Sequence, residues 1–418
     1  MGNILDTIFI VLQIILAFVA VYQFGFSLFG ILKRKRRPDH APQKSFAILV
    51  AAHNEEQVIG ALMENLKQMD YPRELYDVFV ICDNCTDSTA DIVRSHGMNA
   101  CVRTNPNQRG KGYAIEWMLR ELWSMERQYD GIVMFDADNL AAPNFLQEMN
   151  NDMCEGARVI QGYIDTKNPE DSWITAAYGV SYWYINRLWQ LSRHNLNMAN
   201  FLGGTGMCFE NELLKEIGWG ATSLVEDLEF TMRCAEKGIY PKFSYDAKVF
   251  DEKPLTFKAS SRQRLRWMQG HFTVARRYFF PLLWQSIKQF NIIKFDLALY
   301  SVNVYIVLVT FLMTAGVWID TAILGGPHIS SIYNYLPLWV AYVAIAANVV
   351  TFILAMVLEK VKSWKVYLYL LLFPIYGLSW WPITFYAFFT QNNKQWSHTQ
   401  HTRVVRIEDV HGSKQSTL

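Results

Sequence analysis

Two carboxylates, Asp136 and Asp138, flank Ala137 directly after the apolar run 132–135. Hard divalent cations such as Mg²⁺ or Mn²⁺ favour such oxygen-rich settings, and phosphate oxygens can complete the shell. A solvated turn at a strand end is the competing reading of this triplet alone. Asp83 closes a second apolar run and precedes Asn84-Cys85-Thr86-Asp87. Its carboxylate can accept hydrogen bonds from a base or ribose, whereas Thr86 or Asp87 can cap the next helix. Arg109-Gly110-Lys111-Gly112 sets two cations and two glycines ahead of a helix, which suits an anion or a surface turn. Glu226-Asp227 opens another helical run. These acids can complement the helix dipole, or one can remove a proton from a sugar hydroxyl. Gln263-Arg264-Leu265-Arg266-Trp267 offers a fork for a diphosphate and a face for a sugar ring, or a basic and aromatic anchor at a membrane surface.

The elements that must hold these residues read as alternating α/β. Residues 46–51, 78–82 and 132–135 are short apolar runs of buried parallel-strand type. Helical patterns over 56–69, 87–95, 113–127 and 225–236 separate or follow them. Ligands bind beyond the carboxyl ends of strands in such sheets, where His53-Asn54-Glu55, Asp83-Asn84 and Asp136-Ala137-Asp138 fall.

The 418 residues are 51% hydrophobic and only 18% charged, below the roughly 25% of soluble domains. A mean hydropathy of +0.05 is too low for a chain in lipid throughout, so the apolar residues must be concentrated in segments. Residues 4–32 carry one charge, Asp6, and precede Lys33, Arg34, Lys35, Arg36 and Arg37. One span of ~20 residues fits there, retained with its N-terminus outside and the following domain in the cytosol. Further uncharged runs cover 297–319, 336–358 and 366–390. Pro374 and Pro382 leave the last as either a kinked span or a re-entrant segment. Parity puts the tail outside, while Lys394, Arg403 and Arg406 argue for the other side. Residues 279–295 suit a helix lying at the membrane interface.

Thirty-nine Lys and Arg against 38 Asp and Glu give a net charge of +1, which supplies no field for nucleic acid. The six cysteines show no disulfide framework and read as reduced thiols. Cys82-x-x-Cys85 has no second pair to complete a zinc site, and His398 and His401 read as solvated. A transporter would carry ionisable residues within its spans, and three of the runs have none. An inactive binding module would have lost Asp138 or Asp227.

In order, His53-Asn54-Glu55, Asp83, Gly110-Lys111-Gly112, Asp136-x-Asp138, Gly203-Gly204-Thr205-Gly206, Glu226-Asp227 and Gln263-x-x-Arg266-Trp267 resemble the motifs of membrane-integrated family 2 glycosyltransferases. The similarity is to the cellulose, chitin, hyaluronan and poly-N-acetylglucosamine synthase group. It implies an α/β GT-A domain over 38–255, after an anchor and basic flank over 1–37. The Gln-x-x-Arg-Trp motif and interfacial helices would occupy 256–296, three spanning or re-entrant segments 297–390, and a tail 391–418. The implied donor is a UDP-sugar, UDP-glucose or UDP-N-acetylglucosamine, used with Mg²⁺ or Mn²⁺ at the plasma membrane.

Carried across, Glu55, Asp83, Lys111, Asp136, Asp138, Gln263 and Arg266 would bind the nucleotide sugar, Asp136 and Asp138 facing the metal. Asp227, beside Glu226, would be the base for an inverting attack. Gly204, Thr205 and Trp267 would bind the acceptor, a growing β-linked polysaccharide. A lipid acceptor is the alternative, since ceramide glucosyltransferases share the Gln-x-x-Arg-Trp motif. Four spans are fewer than in the larger synthases, and control by a cyclic dinucleotide would need a separate regulatory subunit.

Overall fold

The computed structural model describes residues 2–32, 37–221, 223–326, 338–393, 405 and 407–409. The basic residues 33–36 and the tail positions Lys394, His398, His401, Arg403 and Arg406 lie outside the described residues. An eight-stranded mixed sheet forms the centre. Its strands are β1 (Phe46–Ala52), β2 (Tyr76–Asp83), β3 (Asn99–Arg103), β4 (Gly131–Asp136), β5 (Leu140–Ala141), β6 (Val159–Thr166), β7 (Met207–Glu210) and β8 (Lys242–Asp251), in the order β3-β2-β1-β4-β7-β6-β8-β5.

The expected strands 46–51, 78–82 and 132–135 are the inner parts of β1, β2 and β4. Both faces of these strands are covered, which is why they read as continuous rather than alternating apolar runs. Phe46, Ile48 and Val50 pack with Leu62 and Leu66 on one face, and Ala47 and Leu49 with Ile115 and Met118 on the other. Each large apolar side chain so buried stabilises the fold by ~1.5–3 kcal/mol.

Parallel register sets Ala52 beside Cys82 and Ala51 beside Asp136, so the turns after β1, β2 and β4 emerge together. β5 pairs with β8 at Leu140 and Phe250, which carries the end of β8, Asp251, to the turn holding Asp138. The six cysteines are unpaired.

Among the described residues three helices are long and apolar enough to cross a membrane: Asp6–Ile31, Asn303–Ala322 and Trp364–Thr390. Leu338–Leu358 is a further apolar helix of 21 residues. The span expected over 297–319 begins at Asn303 instead. Residues 297–301 end a separate helix, Ile292–Ser301, whose Lys294 and Asp296 are buried against the rest of the protein.

The segment Trp364–Thr390 is not one uniform α-helix but runs through Trp364–Tyr369, a 3-10 turn at Leu370–Leu372, Phe373–Leu378 and Trp380–Thr390. Lys365 near its start lies 3.4 Å from Glu170 of the α/β domain. Its middle reaches Phe311 of the apolar helix Asn303–Ala322 through Trp381, with ring centroids 5.8 Å apart. Its last residue, Thr390, accepts from Gln269 Nε2 at 2.9 Å through its hydroxyl. Both ends therefore meet elements joined to the α/β domain.

The helix Phe257–Gln289 carries the Gln-x-x-Arg-Trp residues and runs on into the expected interfacial stretch. Its second half and the start of Ile292–Ser301 present Phe280, Trp284, Ile287, Phe290 and Ile292 exposed, as a helix lying along an apolar surface requires.

Candidate active site

Asp83 ends β2 and is buried, and Arg103 Nη1 from the end of neighbouring β3 bonds its carboxylate at 2.5 Å. This ion pair compensates the buried carboxylate and leaves further lone pairs available to a ligand. Asn84 follows in the left-handed region with φ 55 at Asn54 and 52 at Asn84. It locks the next loop by donating from Nδ2 to Asn105 O at 3.3 Å and accepting from Asn105 N at 2.8 Å. His53 Nδ1 lies 2.7 Å from Asp83 O. Glu55 is buried behind this rim, its amide donating to Thr89 Oγ1 at 2.9 Å and its carbonyl accepting from Ile59 N at 3.0 Å.

Lys111 opens the helix Lys111–Trp123 and donates to Asp136 Oδ1 at 2.5 Å and to Gly204 O. Burial alone would lower its pKa, but Asp136, Glu226 and Asp227 together hold the ammonium above its ordinary value. Gly112 lets this helix approach closely, because a Cβ there would stand 2.4 Å from Ala221 O.

Gly204 has φ +88, and a Cβ would point to within 3.3 Å of Asp227 Oδ2. Asp227 lies in the first turn of Glu226–Glu236 and accepts from Leu228 N at 2.8 Å. Burial and then the neighbouring Glu226 charge push its carboxyl up to about 7, with Lys111 pulling the other way. A carboxylate so poised holds and releases a proton near neutral pH.

Asp136 and Asp138 face different neighbours. The Asp136 side chain is 39% exposed and bonded to Lys111. Asp138 is buried, accepts from Glu252 N at 3.1 Å through Oδ2, and bonds the Asp251 carboxyl. Burial raises the Asp251 pKa, Lys253 opposes the shift and Asp138 adds to it. Among the described residues no group of three or more His, Cys, Asp or Glu forms a ready metal cage. A small cation bound with phosphate oxygens and water needs only one or two protein carboxylates, and Asp136 and Asp138 have oxygen donors of the kind that suit Mg²⁺ or Mn²⁺.

Thr205 is buried beneath Asp136, its hydroxyl donated to Asn139 Oδ1, and Asp136 N donates to the same Asn139 oxygen at 3.0 Å. Gln161 Nε2 fixes the Thr205 carbonyl at 2.9 Å. These bonds shape the glycine loop from behind. Gln263 Oε1 accepts from Tyr178 OH at 2.8 Å. Arg266 has a buried Nε with no hydrogen-bond partner among the described residues. Trp267 meets Tyr178 edge-on at 6.2 Å and stacks on Trp380 at 6.4 Å with 21° between planes.

Arg103, Asn139, Gln161, Tyr182, Asp251, Lys253 and Tyr300 are missing from the sequence reading. Tyr182 and Tyr300 stand close enough to Asp227 for its charge to add to the rise that burial gives their phenol pKa values. Only Asp251 carried a local signal, an acid closing a β-patterned run as Asp136 does.

An α/β sheet with carboxylates and a lysine at its strand ends, a glycine loop and a poised aspartate defines a GT-A glycosyltransferase, a hexosyltransferase. Residues 42–270 match the model of the family described as glycosyltransferase like family 2, and the chain belongs to that family. The chain is 24% identical to the probable glycosyltransferase YdaM of Bacillus subtilis over 407 residues, covering 94% of each. It is 27% identical to the beta-monoglucosyldiacylglycerol synthase of Nostoc over 61% of this chain and 55% of that one. It is 22% identical to the poly-beta-1,6-N-acetyl-D-glucosamine synthase of Staphylococcus epidermidis over 65% of each. The fold is shared with a mannosyltransferase of Pyrobaculum calidifontis solved with GDP-Man and Mn²⁺, at TM-score 0.54 and 18% identity, over 90% of this chain and 99% of that one.

Proposed function

We propose that the protein transfers glucose or N-acetylglucosamine from its UDP derivative, with inversion, to a growing β-linked polysaccharide at the membrane. The observation that carries this is the meeting of Lys111, Asp136, Gly204 and Asp227 at one end of the sheet. In this reading Asp83 and Glu55 shape the nucleotide end, and Lys111, Gln263 and Arg266 hold the diphosphate. Asp136 and Asp138 would hold Mg²⁺ or Mn²⁺, which when bound offsets charge on the departing diphosphate.

Asp227 takes the proton from the acceptor hydroxyl while that oxygen forms a bond to the anomeric carbon. The bond from that carbon to the UDP oxygen breaks, and UDP leaves with the electron pair. Glu226 supports the proton affinity of Asp227 by its charge. Gly204 leaves room for the acceptor beside the base, Thr205 holds that loop in shape, and Trp267 borders the acceptor path.

A second reading, one sugar added to a lipid, is favoured by the match to glucosyldiacylglycerol synthases and by the packing of Trp267 against Trp380. The protein would lie in the plasma membrane, multi-pass, with its catalytic domain cytosolic and its N-terminus outside. Purified protein given a panel of UDP-sugars, with and without diacylglycerol, tests the reading through UDP release and product size. Long product supports the polymer, a one-sugar lipid supports the second reading, and no UDP release from any donor overturns both.

A further inference from the structure

Arg264 lies between Gln263 and Arg266 but points away from both roles. It is fully buried, and Nη1 donates to Ser379 Oγ at 2.7 Å and to Tyr376 O at 3.3 Å. Ser379 Oγ in turn donates to Tyr376 O at 2.6 Å. Its guanidinium carbon sits 4.4 Å from the centre of the Tyr376 ring, 5.1 Å from Trp380 and 5.7 Å from Phe257. Nε and Nη2 are buried with no hydrogen-bond partner among the described residues. A buried guanidinium held by aromatic faces and two neutral oxygens is a poor stabiliser, since an apolar side chain of similar volume often serves stability as well.

What this arrangement does supply is position. Tyr376 lies in the helix Phe373–Leu378, Ser379 joins it to the next, and Trp380 begins that last helix. Trp380 stacks on Trp267, one turn along from Arg264, and Tyr178 touches both Tyr376 and Trp267. We propose that Arg264 is a positioning residue that pins the Ser379 junction of the apolar segment Trp364–Thr390 to the Gln-x-x-Arg-Trp helix, so that Trp267 and Trp380 form one acceptor wall from two elements. This rests on the proposed sugar transfer for its catalytic consequence, and on geometry alone for its structural one.

The test compares Arg264→Met, Arg264→Lys and Ser379→Ala in the full chain in lipid nanodiscs. Arg264→Met should reduce transfer to acceptor about tenfold or more, because small misplacements of binding groups are costly. UDP affinity and donor hydrolysis to water should change less than about twofold, since no donor-site bond is touched. Arg264→Lys should restore part of the loss and Ser379→Ala should reproduce part of it. Hydrogen exchange should rise in residues 373–390 of Arg264→Met and stay unchanged in the sheet. Equal loss of transfer and hydrolysis, or unchanged exchange in 373–390, would overturn the proposal. The exchange arm decides it even if the native protein releases UDP from no donor, a result that would remove only the functional reading.

Discussion

In the proposed transfer Asp227 is the base, and burial followed by the Glu226 charge pushes its carboxyl up to about 7. With the group pushed up to about 7, only the deprotonated form can accept a proton, so transfer should climb as pH rises through that value. Stability has the opposite sign. The folded protein keeps a proton that the unfolded chain, with an ordinary Asp value of ~3.9, gives up earlier. This contribution is complete below ~pH 4 and is lost as pH rises through about 7. Asp227→Asn preserves shape and removes the base, so turnover should fall ~10²–10⁴-fold and the rising limb should vanish. Calorimetric binding of UDP should persist; if it disappears with turnover, Asp227 is a donor-binding residue. For the metal, Asp138→Asn and chelation of the native protein should each abolish transfer, and full activity in excess chelator would refute a divalent ion. The positions of Asp136, Asp138 and Asp227 at a strand end and a helix start were legible from the apolar run and the helical pattern beside them. Arg103, Tyr182 and Tyr300 were not, because their neighbours in sequence are ordinary and only the fold brings them to Asp83 and Asp227.

At the scale of elements, the ends of apolar helices are tied to the α/β domain by buried polar groups. Arg193 grips Asp296 of Ile292–Ser301 with two bonds, 2.7 and 2.9 Å, and Tyr22 of the N-terminal helix donates to the same carboxylate at 3.1 Å. The Arg193 guanidinium also lies 3.9 Å from the centre of the Trp189 ring. Both charged side chains are 3% exposed, so removing one strands the other. Arg193→Met should destabilise the protein by ~3–5 kcal/mol, whereas Arg193→Met with Asp296→Leu should recover much of that loss. Thermal unfolding in detergent measures both, and a double variant as unstable as the single one would show that packing, not the stranded charge, governs the joint. Asp296 also explains why the expected span 297–319 was displaced. Hydropathy counts the uncharged residues 297–301, but the Lys294 and Asp296 side chains bury that short helix against the domain and the apolar helix starts only at Asn303. The same method found the strands well, because two covered faces leave an unmistakable apolar run.

For the whole molecule, the joints constrain how the chain meets a bilayer. Gly30 O at the end of the first apolar helix accepts from Arg187 Nε at 2.8 Å. Glu359, just after Leu338–Leu358, accepts from Tyr163 OH and Tyr245 OH at 2.8 Å each. Lys365 lies by Glu170, and Thr390 is bonded by Gln269 of the helix Phe257–Gln289. The described tail residue Ile407 packs with Leu140 and Phe250, on the strands that carry the site carboxylates. Each of these points therefore belongs on the side of the sheet. A segment whose two ends lie on one side dips into the bilayer and returns, which Pro374 and Pro382 permit by interrupting the helix. Were Trp364–Thr390 to return in this way, the chain would cross three times and its tail would share a side with the catalytic domain, as the Lys and Arg of the tail sequence also favour. Single cysteines at the exposed positions Leu324, Lys362 and Asn392 separate this from four crossings. In intact cells a membrane-impermeant thiol reagent should label Leu324→Cys and spare Lys362→Cys and Asn392→Cys until the membrane is opened. Labelling of Asn392→Cys from outside would make Trp364–Thr390 a full span, incompatible with the Gln269–Thr390 bond. Labelling of Lys362→Cys from outside would put the sugar-nucleotide site outside the cytosol as well, and the donor assignment would fall with the topology.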